Sequence, residues 1–179
     1  MKKYLTIYAD PPWEESLSGK YRNHNVRPKL DYHTMNLQEI ERLPINAIAE
    51  IGCHLWLWTT NQFIHAGFHI LEAWGFTYLA PITWVKPSGL GNYFVHRTQT
   101  VLMGYKGKCI FPMERYLPTV LMAESPCHHS DKPQALQDYI ESISPEPRIE
   151  LFSRAKRFNW DCWGNEVASD IELLPERGK

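Results

Sequence analysis

The sequence predicts an α/β sandwich with a largely parallel sheet, and three observations support this prediction. Short apolar runs alternate with helix-like segments at the spacing typical of βαβ units. Hydrophobic residues make up 44% and charged residues 22% of the 179 residues, as in ordinary globular domains. Neither an internal repeat nor a linker-like segment interrupts the pattern. We therefore predict a single domain over residues 1–179, with a polar tail after about Val167 that frays.

The first predicted element is a β-prone run over residues 5–9 that stops at Asp10-Pro11-Pro12. Two consecutive prolines cannot continue a hydrogen-bonded ladder, so a buried strand ends there. From Trp13 to about Asp31 the sequence is polar and has no period. Long stretches of this kind are usually functional or mobile loops.

The middle of the chain predicts two helical segments, two strands and a helix between them. Asn36 is a favourable N-cap for a helix over residues 37–43, and Pro44 then starts a second short turn. Residues 53–58 form an apolar run typical of a buried strand. Asn61 is the expected N-cap of an amphipathic helix that ends near Gly75. A strand over residues 77–85 then precedes a loop over 86–89 that is rich in chain breakers.

The last third of the chain predicts two strands and one helix. Residues 98–105 are strand-like, and Lys132-Pro133 opens a helix that runs to about Ser142. Pro145 and Pro147 end that helix, and residues 148–152 form the last apolar strand. The tryptophans of the middle section are expected to be structural, and His65 and His69 to be packing or surface residues.

Charge and cysteine content narrow the class of protein. The net charge of −1 excludes a global basic field, so any nucleic acid would be held by local patches or by a partner. Two basic clusters exist: Lys20, Arg22, Arg27 and Lys29, and Arg154, Lys156 and Arg157. The four cysteines lack zinc-site spacing, and adjacent residues such as Cys127-His128-His129 rarely bind one ion together, so no metal is expected. An apolar span and a hydrophobic signal core are absent from the sequence, which makes the reducing cytoplasm the default expectation.

Asp10-Pro11-Pro12-Trp13 carries the clearest chemical signal. Ligands of open α/β sheets bind at the carboxyl ends of strands, where Asp10 is predicted to lie. The Asp10 carboxylate and the Pro11 carbonyl are two acceptors in a stiff turn, and they match the two N–H donors of a primary aromatic amine. Trp13 adds a flat face for stacking. Taken alone, the tetrapeptide fits a turn beside a core aromatic residue equally well.

Six further motifs occur after this tetrapeptide in a fixed order. They are Leu55-Trp56-Leu57-Trp58-Thr59-Thr60, Trp74-Gly75-Phe76, Thr83-Trp84-Val85-Lys86, Lys132-Pro133, Glu150-Leu151-Phe152-Ser153-Arg154 and Trp163-Gly164-Asn165-Glu166. The series resembles the adenine methyltransferase family named after the seventy-kilodalton subunit of the mRNA adenine methyltransferase. The likeness extends from about Leu5 to Val167. Gln99 departs from the family, many members of which have an acidic residue there.

The resemblance implies a Rossmann-like class I methyltransferase sandwich with a permuted motif order, the catalytic tetrapeptide preceding the main cofactor-binding strand. It implies S-adenosylmethionine as methyl donor and the exocyclic amine of adenine in a nucleic acid as acceptor. The catalytic residues would be Asp10, Pro11, Pro12 and Trp13. The cofactor-binding residues would be Asp10, Lys132, Glu150, Phe152, Arg154, Asn165 and Glu166. Substrate contacts are expected from Trp13, Tyr21, Arg22 and Arg27.

In this interpretation Lys132 binds the methionine carboxylate of the cofactor and Glu150 binds the ribose hydroxyls. DNA is slightly favoured as substrate, because the sequence looks like a bare catalytic domain without an RNA-binding module. RNA, or single strands in general, is the main alternative. A non-catalytic partner subunit and an enzyme for free nucleotides are further alternatives, and both homo- and hetero-oligomers stay open.

Overall fold

The computed structural model of the chain describes residues 2–14, 34–90, 93–111, 116–124 and 132–173. Seven strands and four helices occur in these ranges. The strands are β1 (Tyr4–Ala9), β2 (Ala49–Thr59), β3 (Thr77–Leu90), β4 (His96–Tyr105), β5 (Val120–Met122), β6 (Arg148–Leu151) and β7 (Trp160–Trp163). The helices are α1 (Leu37–Glu41), α2 (Ile45–Ile48), α3 (Ile64–Ala73) and α4 (Gln134–Ile143).

All seven strands form one sheet in the order β5-β3-β4-β2-β1-β6-β7. Within it β1 pairs in parallel with both β2 and β6, β6 with β7, and β3 with β5. Strand β4 is antiparallel to its neighbours β2 and β3, and the other six described strands therefore share one direction. The predicted α/β sandwich with a largely parallel sheet is confirmed.

Helices cover both faces of the sheet because successive strand residues point to opposite sides. On one face, Ile7 of β1 and Leu55 of β2 belong to a hydrophobic cluster with residues of α1, α2 and α3. On the other face, Tyr8 and Trp56 pack in a second cluster with the buried residues of α4. Trp56, Trp58, Trp74 and Trp84 are all buried, as the sequence predicted.

The start of α1 agrees with the sequence prediction, and the start of α3 does not. The Asn36 side chain accepts from the backbone N–H of Glu39, and the Glu39 carboxylate accepts from the Asn36 N–H, which completes a capping box. The prediction that Asn61 caps α3 is wrong, because the helix begins after Phe63 without a side-chain cap. The Asn61 amide instead lies 3.2 Å from the Nδ1 of His96.

Strand pairing extends the sheet beyond the predicted elements. Strand β3 continues to Leu90 through the expected loop, because β4 pairs with it as far as His96. The short strand β5 was not predicted, because its apolar run of three residues is shorter than a typical strand, and it lies against β3 at one edge of the described sheet. Residues 148–152 were expected to hold the last strand, yet β7 follows and pairs with β6 along its length.

The segment after Val167 is packed against the sheet up to Leu173, contrary to the prediction that it frays. The side chain of Leu173 is only 4% exposed and belongs to the core. The Asp170 carboxylate accepts from the backbone N–H of Cys162 and from the Lys156 ammonium. These bonds hold the pKa of Asp170 down at about 2. A polar segment is thus ordered by charge-assisted hydrogen bonds rather than by apolar periodicity.

Gly67 fixes how closely α3 approaches the sheet. A Cβ at this position would lie 2.3 Å from Cγ2 of Thr59 and 3.0 Å from Cδ1 of Leu102. The Thr59 hydroxyl donates to the Thr100 carbonyl, so this side chain is not free to rotate away.

We expect Gly67→Ala to lower the free energy of unfolding by ~1–3 kcal/mol, because overpacking outweighs the ~1 kcal/mol gain in helix propensity. Urea denaturation measures this change. Adding Thr59→Ser, which removes the obstructing methyl group and keeps the hydroxyl, should recover most of the loss. If Gly67→Ala alone leaves the protein as stable as the wild type, the contact does not limit helix packing.

Candidate active site

The carboxyl ends of β1, β2, β6 and β7 meet at one edge of the sheet, where ligands of open α/β folds bind. A cavity of about 480 Å³ opens at this edge. Its lining contains Asp10, Pro11, Pro12, Trp13, Met35, Thr60, Phe63, Gln99, Lys132, Phe152, Ser153, Arg154, Trp163, Gly164, Asn165 and Glu166. The cavity thus joins the tetrapeptide after β1 to the two motifs that follow β6 and β7.

The tetrapeptide is held by its own backbone and by its neighbours. The Trp13 N–H donates to the Pro11 carbonyl over 2.8 Å, and the Met35 N–H donates to the Pro12 carbonyl over 2.9 Å. A carbonyl oxygen has two lone pairs, so the Pro11 oxygen keeps one for a ligand. The Asp10 side chain is 31% exposed and lines the cavity. Both predicted acceptors are therefore present in a fixed turn.

Trp13 is anchored more firmly than a simple stacking surface requires. Its indole N–H donates to the Trp58 carbonyl over 3.2 Å, and the residue is only 7% exposed. Its ring stacks on Phe63, with the ring centroids 5.4 Å apart and the planes 12° from parallel. These contacts tie the loop after β1 to the end of β2 and fix the position of the tetrapeptide.

Lys132 brings the start of α4 to the tetrapeptide. Its ammonium forms an ion pair with the Asp10 carboxylate and lies 4.9 Å from the centroid of the Trp58 ring. The side chain is only 14% exposed, so the pair is shielded from solvent on most sides. The Trp58 indole N–H donates to the Gln99 amide oxygen over 2.8 Å, which links β2 to β4 beside the cavity.

The second half of the site is the turn directly after β6, which lies against the carboxyl end of β7. Phe152 follows β6 with a φ of 60°, a left-handed conformation that is unusual for an aromatic residue. This turn lets the Ser153 N–H donate to the Trp163 carbonyl over 3.0 Å. A Cβ on Gly164 would lie 2.1 Å from the Ser153 oxygen, so only glycine permits this approach. Strain of this kind is characteristic of functional sites.

Two more ion pairs follow β6, and the first of them lines the cavity. The Arg154 Nε lies 3.6 Å from a carboxylate oxygen of Glu166, and the Arg157 Nε lies 3.4 Å from one of Glu150. Burial raises the pKa of Glu150 above its ordinary value, and the charge of Arg157 opposes that rise. With Asp10 and Lys132, the site holds three carboxylates and three cations that pair with one another.

One buried hydroxyl close enough to Asp10 to be affected by its charge has no hydrogen-bond partner among the described residues. It belongs to Tyr8, which is only 2% exposed. Burial raises the pKa of Tyr8, and the charges of Asp10 and Glu150 raise it further, so the hydroxyl stays protonated. A buried hydroxyl of this kind is usually satisfied by an ordered water molecule.

The residues around the cavity fit a methionine-containing nucleoside such as S-adenosylmethionine. The Lys132 ammonium suits a carboxylate, the buried Glu150 carboxylate suits the two donors of a ribose diol, and the amide of Asn165 suits a purine edge. These residues are therefore complementary to S-adenosylmethionine at its carboxylate end and at its nucleoside end. These assignments remain predictions about the individual residues.

The structure gathers most of the site residues expected from the sequence. Every predicted catalytic residue and five predicted cofactor residues besides Asp10 line the cavity. Glu150 is not part of the lining, but the charges of Asp10 and Lys132, which do line it, act on the Glu150 carboxyl. Tyr21, Arg22 and Arg27, with Lys20 and Lys29, lie outside the described residues, as do Cys127, His128 and His129. The candidate substrate contacts in that loop therefore stay predictions.

Sequence reasoning missed several residues of the site. Met35 and Phe63 contact the tetrapeptide from two different elements, and no local pattern marks them. Arg157 belongs to none of the sequence motifs, yet it is the ion-pair partner of Glu150. Its basic neighbours Arg154 and Lys156 were a signal, because the three cations follow directly after β6. Each of them pairs with a carboxylate.

Comparisons with known proteins agree with this geometry. The model of the MT-A70 family matches residues 4–166. The type II methyltransferase M.MunI of Mycoplasma sp is 30% identical over 99% of this chain and 84% of its own length. The human N(6)-adenosine-methyltransferase catalytic subunit METTL3 is 30% identical over 96% of this chain, which spans 29% of that protein. The mouse N(6)-adenine-specific methyltransferase METTL4 is also 30% identical, and the chain spans 38% of it. The match and the seven-stranded sheet together confirm the Rossmann-like methyltransferase fold.

Proposed function

Since the chain belongs to the MT-A70 family of N6-adenine methyltransferases, we propose that it uses S-adenosylmethionine to methylate the exocyclic amine of adenine in DNA. The observation that carries this proposal is the shared cavity. Asp10 and the Pro11 carbonyl line it together with Lys132 and with Arg154, Asn165 and Glu166 from the turn after β6 and the residues after β7. A site for an amine and a site for a methyl donor are thereby brought together.

Asp10 and Pro11 address the weak nucleophilicity of the adenine amine, whose lone pair is delocalised into the ring. Two acceptors aimed at its two hydrogens favour a tetrahedral nitrogen with a free lone pair. They also stabilise the positive charge that develops on nitrogen during in-line attack. The cofactor, when bound, supplies an electrophilic methyl group on a sulfonium. Asp10 is then placed to receive the proton that the methylated nitrogen must lose.

Ion-pair exchange prepares the site in this proposal. Lys132 is paired with Asp10, and the carboxylate of a bound ligand competes for its ammonium. Once Lys132 turns to that carboxylate, both oxygens of Asp10 are available to the amine. Glu150, held by Arg157, accepts from the ribose diol. The same charged residues therefore pair with one another in the unliganded protein and bind the ligand when it is present.

DNA is proposed as the polymer because the likeness to the Mycoplasma type II methyltransferase covers most of both chains. The relatives named adenosine methyltransferases are matched over less than a third of their length. RNA is the alternative that those relatives favour. A non-catalytic partner subunit is disfavoured because the tetrapeptide and the candidate cofactor residues line one cavity in this chain.

Methyl incorporation from labelled S-adenosylmethionine tests the proposal on four polymers: single- and double-stranded DNA, and single- and double-stranded RNA. Free adenosine and deoxyadenosine serve as small-molecule controls. We expect label in DNA, recovered after nuclease digestion as N6-methyldeoxyadenosine. Label in RNA alone would contradict the choice of polymer and leave the chemistry intact. Label in the free nucleosides alone, or in none of the substrates, would contradict the proposed function.

A further inference from the structure

A projecting hairpin formed by β3 and β4 rises beside the cavity. Thr59, the last residue of β2, pairs with Thr100 of β4, while the pairing of β3 with β4 continues outward to Leu90 and His96. Four residues of extended strand correspond to about 13 Å. The hairpin therefore projects beyond the carboxyl edge of the sheet, on the side where Asp10 lies.

The end of this hairpin exposes aromatic and apolar side chains. Tyr93 is 96% exposed, Phe94 79% and Val95 63%. Tyr116 and Phe158 are comparably exposed, but of these four aromatic residues only Tyr93 and Phe94 are adjacent in the sequence. Exposed rings beside a nucleoside-sized cavity match the stacking platforms that bind single-stranded nucleic acid, because every base has a π-face.

The charged side chains of the hairpin are all positive. Residues 77–105 contain Lys86 and Arg97 but neither Asp nor Glu, whereas the whole chain has a net charge of −1. The Arg97 Nε donates to the Lys86 carbonyl, which keeps these two residues side by side across the strands. Among the described residues, no carboxylate lies within ion-pair distance of either cation. Lys86 is half-buried, with its ammonium 5.7 Å from the centroid of the Trp84 ring, while Arg97 is exposed. Both positive charges are complementary to phosphate.

The base of the hairpin is connected to the candidate site. Gln99 of β4 lines the cavity and accepts from the Trp58 indole N–H. The Asn61 amide contacts His96 and Thr98 at 3.2 and 3.5 Å, which fastens the hairpin to the end of β2. A strand whose adenine occupies the cavity would thus pass along the hairpin on its way out.

From these observations we infer that the hairpin binds the nucleotides flanking the target adenine. Tyr93 and Phe94 stack on unpaired bases, and Lys86 and Arg97 contact the phosphates. This inference rests on the proposed function, because the hairpin would bind the same polymer whose adenine enters the cavity. It explains how a protein without a global basic field holds a polyanion: the attraction is local and is combined with stacking.

The test measures binding of a fluorescent single-stranded DNA of about twelve nucleotides with one central adenine. We expect Tyr93→Ala with Phe94→Ala to raise the Kd at least tenfold, since loss of one stacked base costs about 5- to 150-fold. Tyr93→Phe with Phe94→Trp retains both rings and should bind like the wild type. Tyr116→Ala, which removes an equally exposed aromatic residue outside the hairpin, is the matched control.

Salt dependence tests the cations separately. Lys86→Ala with Arg97→Ala should reduce the slope of log affinity against log salt by up to about 1.4, at about 0.7 for each lost phosphate contact. An unchanged Kd in the aromatic double variant would overturn the inference. A change in molar mass by light scattering with unchanged DNA affinity would also overturn it and assign the hairpin to a subunit contact. Methyl transfer by the wild type is recorded on the same DNA, so a failure confined to the variants leaves the proposed function standing.

Discussion

Replacing Asp10 with alanine should reduce methyl transfer at least ~100-fold, which corresponds to about 2.7 kcal/mol of transition-state stabilisation. In the proposed mechanism the carboxylate accepts from the amine and faces the charge that develops on nitrogen, so it should stabilise the transition state more than the bound substrate. The loss should therefore appear in kcat, with the KM for the polymer little changed. Initial rates with saturating cofactor measure it.

Cofactor affinity provides the control for this variant, because Asp10 is paired with Lys132. Removing the carboxylate releases the ammonium for the ligand, so calorimetry should show unchanged or tighter binding of S-adenosylmethionine. Asp10→Asn keeps the shape with a weaker, neutral acceptor and should also be severely impaired. A folded Asp10→Ala enzyme that retains more than about a tenth of the activity would exclude Asp10 from the catalytic step.

The second large effect is expected at Glu150. Its buried carboxylate is the candidate acceptor for the ribose diol, and a hydrogen bond to a charged group contributes about 1.5–3 kcal/mol. Glu150→Ala should therefore weaken cofactor binding by more than tenfold. Lys132→Ala should do the same through the carboxylate end of the ligand. Glu146→Ala is the matched control, since this exposed carboxylate pairs with Arg148 near the amino end of β6.

Stability must be measured alongside affinity, because Glu150 is also the ion-pair partner of Arg157. Removing one member of a largely buried pair leaves a charge without compensation, so Glu150→Ala should melt at a lower temperature. Glu150→Gln retains a hydrogen-bond acceptor at nearly the same size and should melt closer to the wild type. If both Glu150→Ala and Lys132→Ala are folded and bind the cofactor with unchanged affinity, these residues do not belong to the cofactor site.

Acidification provides an independent test of Glu150. Burial raises its pKa, so the folded protein takes up this proton at a higher pH than the unfolded chain does. The unfolded state then binds fewer protons in that window, and the contribution of Glu150 to stability falls as the pH rises through it. Only the ionised form accepts from both hydroxyls of a diol. Cofactor affinity should thus fall on acidification, beginning at a higher pH than for an ordinary glutamate, and Glu150→Gln should remove that part of the pH dependence.

Local chemistry in the sequence determined much of this protein. The Asp10-Pro11-Pro12 turn ends β1 because prolines cannot extend a ladder, and the Asn36 capping box starts α1 because it satisfies orphan N–H groups. Both depend on residues within a few positions of one another. The tryptophan-rich run in β2 also predicted a strand correctly, because a strand buried on both faces has a continuous apolar sequence.

Tertiary structure alone decided the features that depend on distant partners. Strand β5 exists because β3 lies beside it, and β3 reaches Leu90 because β4 continues to pair with it. Lys132 meets Asp10 across 122 positions in the sequence, and Asn61 contacts His96 instead of capping α3. Hydrogen bonds and ion pairs of this kind follow spatial neighbours, which no local periodicity records. The sequence therefore determined which residues could do the chemistry, and the parallel sheet decided that they meet, because it places the carboxyl ends of β1, β2, β6 and β7 at one edge.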